Sequence, residues 1–122
     1  MQAHPRRWTH RLSLWVGGVL GVCVGCAYAQ VTMEPARAKE LVRMVRQDCG
    51  SCHGMRLTGG LGPALTPAAL QHIPVTSLSA TIFHGRAGTP MPPWRAMISS
   101  DEAEWIAQQL LAGFPTEEAS KP

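Results

Sequence analysis

The sequence is short of several things at once, and each shortage removes a class of function. It has no apolar run long enough to span a bilayer comfortably, which takes roughly 20 residues; the stretch from Leu12 to Val24 stops short of that. It has no basic run. Eleven Lys and Arg face eight Asp and Glu, and the excess of three is accounted for by Arg6, Arg7 and Arg11. From Gln30 onward eight bases balance eight acids, so the basic isoelectric point is no argument for nucleic acid binding. No segment alternates apolar and polar residues as a half-buried strand does, and there is no internal repeat or low-complexity tract. No nucleophile–base pair and no phosphate-cradling loop stands out. Cysteine is scarce as well: Cys23 and Cys26 fall among the first thirty residues, which leaves Cys49 and Cys52.

What is present begins with a leader. Three arginines, a short apolar core and Ala27-Tyr28-Ala29 together describe a secretory signal peptide cleaved after Ala29. Arg6-Arg7 as a twin-arginine signal finds no support in Trp8-Thr9-His10. Cys26 as a lipid-bearing cysteine is opposed by Cys23, which stands where such a signal wants Leu or Val. The sequence leaves lipidation open, and a lipid there would hold the domain at a membrane surface. The expected organisation is a leader over 1–29 and one domain over 30–122, with a modest core for its surface.

The domain reads as all-α with long loops. A helix is expected from Pro35, a residue suited to a first helical position, to Asp48. Leu41, Val42, Val45, Cys49 and Cys52 share one of its faces. Thr66-Pro67 reads as a cap and first-turn proline for a short helix through His72, ended by Pro74. Ser77 is the candidate cap of another, through His84, with Gly85 as its stop. Ser99 and Glu102 fit a capping box for a last helix, whose apolar face is Ala103, Ile106, Ala107, Leu110 and Leu111. Between Gly85 and Trp94, two glycines and three prolines require a stiff loop.

The chemistry is concentrated at Cys49-Gly50-Ser51-Cys52-His53. C-x-x-C-H is the attachment motif of haem c: two intervening residues let both thiols reach the two vinyl groups on one porphyrin edge, and the next residue brings an imidazole under the iron. A zinc site needs about four ligands, and the other histidines past the leader, His72 and His84, belong to no second ligand pair. A thioredoxin-like pair would need a βαβ pattern, which is missing. Cys23-Val24-Gly25-Cys26 lacks the histidine and takes no role.

A ligating imidazole usually donates its other ring N–H to a carbonyl or carboxylate; the candidate supplier is Gly62-Pro63-Ala64-Leu65, with Pro63 shaping an extended loop. For the sixth iron position the candidate is Met91, in Thr89-Pro90-Met91-Pro92-Pro93. Prolines on both sides restrict its backbone and lower the entropy cost of presenting the sulfur. His84, His72, Met97 and an open site are the alternatives. Trp94, Arg86 and Arg95 are candidates to hydrogen-bond haem propionates, set against a core tryptophan and two solvated arginines.

In this order the segments resemble a class I cytochrome c. The resemblance implies a fold of helices and loops around one covalent haem, first and last helices crossing, one haem edge exposed. It departs in one respect: where members often carry Gly and an aromatic, eight and four residues before the first cysteine, this chain has Leu41 and Val45, so a less intimate crossing is expected. Asp48 to Met55, Gly59 to Leu65 and His84 to Trp94 are similar, more narrowly, to the cytochrome c-55X family associated with cytochrome cd1 nitrite reductase. That resemblance implies a periplasmic electron carrier, not an enzyme, serving nitrite reduction or d1 haem maturation in denitrification. Its redox partners would be cytochrome cd1 nitrite reductase and an upstream quinol-oxidising donor, with no stable membrane insertion after cleavage. The rival reading is a haem c protein with a labile sixth ligand that binds a small molecule such as nitric oxide or acts as a peroxidase; no distal acid or base supports it.

Overall fold

The structure, a computed structural model, describes residues 31–116. The expected leader, with Cys23 and Cys26, lies outside the described residues. So does the tail from 117 to 122.

The described residues are helical, with no strand among them. Helix α1 spans Pro35–Met44. It starts on Pro35, and the Glu34 side chain accepts the Arg37 N–H. It does not stop at Asp48 as expected. The chain runs on through a π-helical turn, Val45–Cys49, into α2, Gly50–His53. In the wide turn the Gly50 N–H reaches back to the Val45 carbonyl. The turn inserts one residue into the i→i−4 ladder. The motif therefore sits on a rigid helical end and not in a loop, and apolar spacing alone gives no sign of the inserted residue.

Helix α3, Pro67–Leu70, is capped by Thr66 as expected but ends two residues before His72. Helix α4, Val75–His84, corrects the expected cap at Ser77. Pro74 is the N-cap residue, with φ −58° and ψ 145°. Its carbonyl takes the N–H groups of Ser77 and Leu78. A proline at a helix start forfeits nothing, because the first N–H groups have no intrahelical partner. Helix α5, Ser100–Ala112, carries the expected capping box: the Ser99 hydroxyl accepts the Glu102 N–H, and the Glu102 carboxylate accepts the Ser99 N–H at 2.7 Å.

One core joins these elements. Leu41, Val42 and Val45 of the first helix, Leu57 and Leu70 of the following segments, Leu78 of α4 and the Ala103–Leu110 face of α5 are buried together. Burying each Leu or Ile contributes about 1.5–3 kcal/mol. The backbone of α5 packs against α4 and against the short α3. Leu41 of α1 and Val45 of the π turn are both all but fully buried in this core.

Two arginines close the structure over long sequence separations. The Arg37 guanidinium bonds Glu102 Oε1, Glu40 Oε2 at 2.8 Å and the Met97 carbonyl at 3.3 Å. It thereby ties the start of α1 to the start of α5. The Arg46 guanidinium donates to the carbonyls of Phe114, Pro115 and Met55 and lies 5.4 Å from the Phe114 ring centroid. That contact holds the chain past α5 against the segment that follows the cysteine motif.

Candidate haem-attachment site

Cys49 and Cys52 lie one helical turn apart on the rigid end of the first helix, and both are free thiols. Cys52 is exposed and Cys49 half-buried. Burial, aided by the Asp48 carboxylate, pushes the Cys49 thiol up to about 11. A reactive redox cysteine shows the opposite, an exposed thiolate of low pKa.

His53 ends that helix, and its position is set by the loop that follows. Gly54, with φ +82°, turns the chain back. The loop folds onto the helix end through Gly59 N–H to His53 carbonyl and Gly62 N–H to Cys52 carbonyl, both 2.8 Å. Buried Leu57 is the one non-glycine described residue with positive φ, at 61°; its burial holds a conformation that costs about 1–2 kcal/mol. The segment forms no helix or strand, yet these hydrogen bonds tie it to the helix end.

At the end of the loop, His53 Nδ1 lies 2.7 Å from the Pro63 carbonyl oxygen. A carbonyl only accepts, so Nδ1 is the donor, and Nε2 is the ring nitrogen left to face a metal. The imidazole is packed directly on Gly62: a Cβ there would stand 2.7 Å from Cε1 and 2.8 Å from Nδ1. Sequence reasoning assigned no such role to Gly62. The available signal was a glycine immediately before the proline that supplies the carbonyl.

Met91 is half-buried in a loop closed on itself. Its carbonyl accepts the Arg86 N–H at 3.2 Å, and its N–H points to the Thr89 hydroxyl at 3.3 Å. Gly85 makes the return possible. Its φ of 72° and ψ of −171° lie in a region essentially restricted to glycine, and a Cβ would meet Pro92 and Pro93 backbone at 2.7 Å. Trp94 is half-buried, and its backbone N–H donates to the Ile82 carbonyl. Arg86 and Arg95 are exposed, as are Met97, His72 and His84. Among the described residues no group of three or more His, Cys, Asp or Glu converges as a metal cage would. Two thiols and an oriented imidazole on one helix end are the donors haem c requires, so the residues present fit that group.

Residues 36–109 match the family described as cytochrome c oxidase, cbb3-type, subunit III. A cytochrome c55X of Pseudomonas aeruginosa is 56% identical over 80 residues, covering 66% of this chain and 67% of the relative. The chain belongs to the cytochrome c55X family of c-type cytochromes. A solved structure of the c-type cytochrome NirC is 53% identical with a TM-score of 0.65, covering 66% of this chain and 95% of the other. A dihydro-haem d1 dehydrogenase of P. aeruginosa is 31% identical over 84% of this chain, which covers 20% of that protein. Membership of the cytochromes c55X establishes an all-α c-type cytochrome fold. It also implies haem c as the group such a chain carries.

Proposed function

We propose that this cytochrome c55X is an exported, periplasmic one-electron carrier rather than an enzyme. Cys49 and Cys52 would hold one haem c through thioethers, and His53 and Met91 would be the donors to its iron. Its electrons pass to cytochrome cd1 nitrite reductase, or to the system that matures its d1 haem, from an upstream quinol-oxidising donor. The haem supplies the one-electron redox chemistry; the protein supplies its position and its axial donors.

The observation that carries this reading is the 2.7 Å contact between His53 Nδ1 and the Pro63 carbonyl, which leaves Nε2 to ligate at the end of the cysteine-bearing helix. The proline-held, hydrogen-bonded Met91 loop supports a firmly seated sixth donor. No helix among the described residues is long and apolar enough to cross a membrane. The dihydro-haem d1 dehydrogenase among the relatives is the reason to keep d1 haem maturation beside nitrite reduction.

The test joins spectroscopy to kinetics. The holoprotein should be low-spin, show a methionine–iron charge-transfer band and ignore carbon monoxide, and its reduced form should reduce cytochrome cd1 directly. Prompt carbon monoxide binding would move the reading to the labile-ligand alternative. A haem-poor Cys52→Ser variant that supported nitrite reduction as well as wild type would refute the carrier role.

A further inference from the structure

Arg37 and Arg46 both anchor their guanidinium groups inside the fold, but on opposite kinds of partner. Arg37 faces two carboxylates, Glu40 and Glu102, which cancel its charge where it stands. Arg46 faces no carboxylate among the described residues. Its bonds run to carbonyl oxygens: from Nη2 to Phe114 at 2.7 Å and Pro115 at 2.8 Å, from Nε to Pro115 at 3.1 Å, and from Nη1 to Met55 at 3.3 Å. Carbonyls satisfy N–H donors but bring no countercharge, and arginine is always charged in proteins. A unit of positive charge is therefore left over in a fixed place.

That place is the helix end proposed to hold the haem. Arg46 belongs to the π turn Val45–Cys49 and is half-buried. Met55, whose carbonyl accepts from it, follows His53 by two residues, and its main chain packs on the same helix end: a Cβ on Gly50 would stand 3.4 Å from the Met55 Cα. Two residues of chain span at most about 7 Å, so the guanidinium lies within roughly 13 Å of the His53 Cα. The Phe114 ring, its centroid 5.4 Å away, lies against the guanidinium. A half-buried charge is screened much less than an exposed one. The neighbouring charges are of the exposed kind. Asp48 acts on the Cys49 thiol but makes no ion pair with Arg46, and Arg56 is exposed as well.

We propose that Arg46 tunes the reduction potential: held by the carbonyls of Met55, Phe114 and Pro115, it is a fixed, uncompensated positive charge beside the Cys49–His53 helix end that favours the reduced haem. The inference rests on the haem-attachment reading above and deepens it. Oxidised haem carries one more positive charge than reduced haem. A nearby cation repels the oxidised form more, so the electron is held more tightly and the potential rises. Arg46 acts through space, not as a ligand or a proton carrier. Tying the chain past α5 to the post-motif loop needs only N–H donors, so the charge is additional to that structural role. At this range, and with a dielectric constant between those of a protein surface and water, one charge shifts the electron-exchange equilibrium by on the order of two- to fivefold.

Potentiometric titration of the purified holoprotein tests this. In Arg46→Gln the equilibrium with a fixed redox mediator should move toward oxidised cytochrome by about two- to fivefold, which is about 20–40 mV at 59 mV per tenfold for one electron. Arg43→Gln, at an exposed arginine of α1, should leave the potential at its wild-type value. Glutamine also gives up bonds, so a second variant separates charge from packing. Arg46→His puts a group that titrates between about pH 5 and pH 8 at the same site. Its potential should approach that of wild type at the acid end and fall below it by the same factor at the other end; lost packing would lower it equally at both. An unchanged potential in haem-loaded Arg46→Gln, or a pH-independent offset from wild type in Arg46→His, would overturn the proposal and leave the carrier reading standing. A wild-type protein that takes up no haem would overturn the haem-attachment reading itself, and this inference with it.

Discussion

Replacing Gly62 by alanine tests the construction of the proposed haem-attachment site with one methyl group. The added Cβ would stand 2.7 Å from His53 Cε1, 2.8 Å from Nδ1 and 3.2 Å from Nε2. An ordinary contact begins near 3.4 Å, so ring and loop must separate by roughly 0.7 Å. Two hydrogen bonds resist that separation: His53 Nδ1 to the Pro63 carbonyl at 2.7 Å and Gly62 N–H to the Cys52 carbonyl at 2.8 Å. Stretching either by the full amount takes it to the edge of hydrogen bonding. Overpacking of this kind costs about 1–3 kcal/mol, and each kcal/mol moves the melting temperature of a domain this size by about 4–8 °C. Losing the carbonyl partner also frees the imidazole to rotate, which weakens it as a ligand on the order of 10- to 100-fold. Thermal melts of the Gly62→Ala holoprotein should therefore fall by several degrees, and its reduction potential and visible spectrum should shift. A variant with wild-type melting temperature, potential and spectrum would refute the claim that Gly62 is required by the histidine.

Gly85→Ala acts on the other proposed donor, Met91: the Gly85 backbone conformation costs a non-glycine residue about 1–3 kcal/mol, and the Cβ would collide with the Pro92–Pro93 backbone. The expected outcome is loss of the methionine–iron band and gain of carbon monoxide binding, read from the optical spectrum, with helicity by circular dichroism retained. The Arg37 guanidinium holds the Glu102 carboxyl below its ordinary 4.5, so this pair stabilises the fold fully above pH 4.5 and loses its contribution as pH falls through the depressed value. Glu102→Gln keeps the capping-box geometry but removes the charge. With Arg37 partly exposed, the loss at pH 7 should be about 1 kcal/mol, and denaturation curves of variant and wild type should converge as the pH drops well below 4.5.

The legible parts of this protein are those whose cause is local. The cysteine–histidine spacing, the Ser99–Glu102 box, the Thr66–Pro67 start and the proline-bounded Met91 loop each depend on residues within a few positions of one another. Pattern is sufficient there because the physics acts within one turn. Where the sequence reading differed from the structure, a local rule met a competing one. Ser77 looked like a cap, but Pro74 begins the helix because it has no N–H to lose. The first helix was expected to end at Asp48, but a π turn carries it on to His53.

The sequence by itself determined the attachment motif and the all-α class. Only the tertiary structure decided which groups orient the motif. Pro63 reaches His53 because the loop between them closes on the helix end, and the same closure puts the imidazole against Gly62. Arg37 meets Glu102 across 65 positions, and Arg46 meets Phe114 across 68. No spacing rule reaches that far. Such contacts exist only after the apolar faces of the helices have packed, because burial of those faces sets the distances at which a single arginine can bridge two ends of the chain.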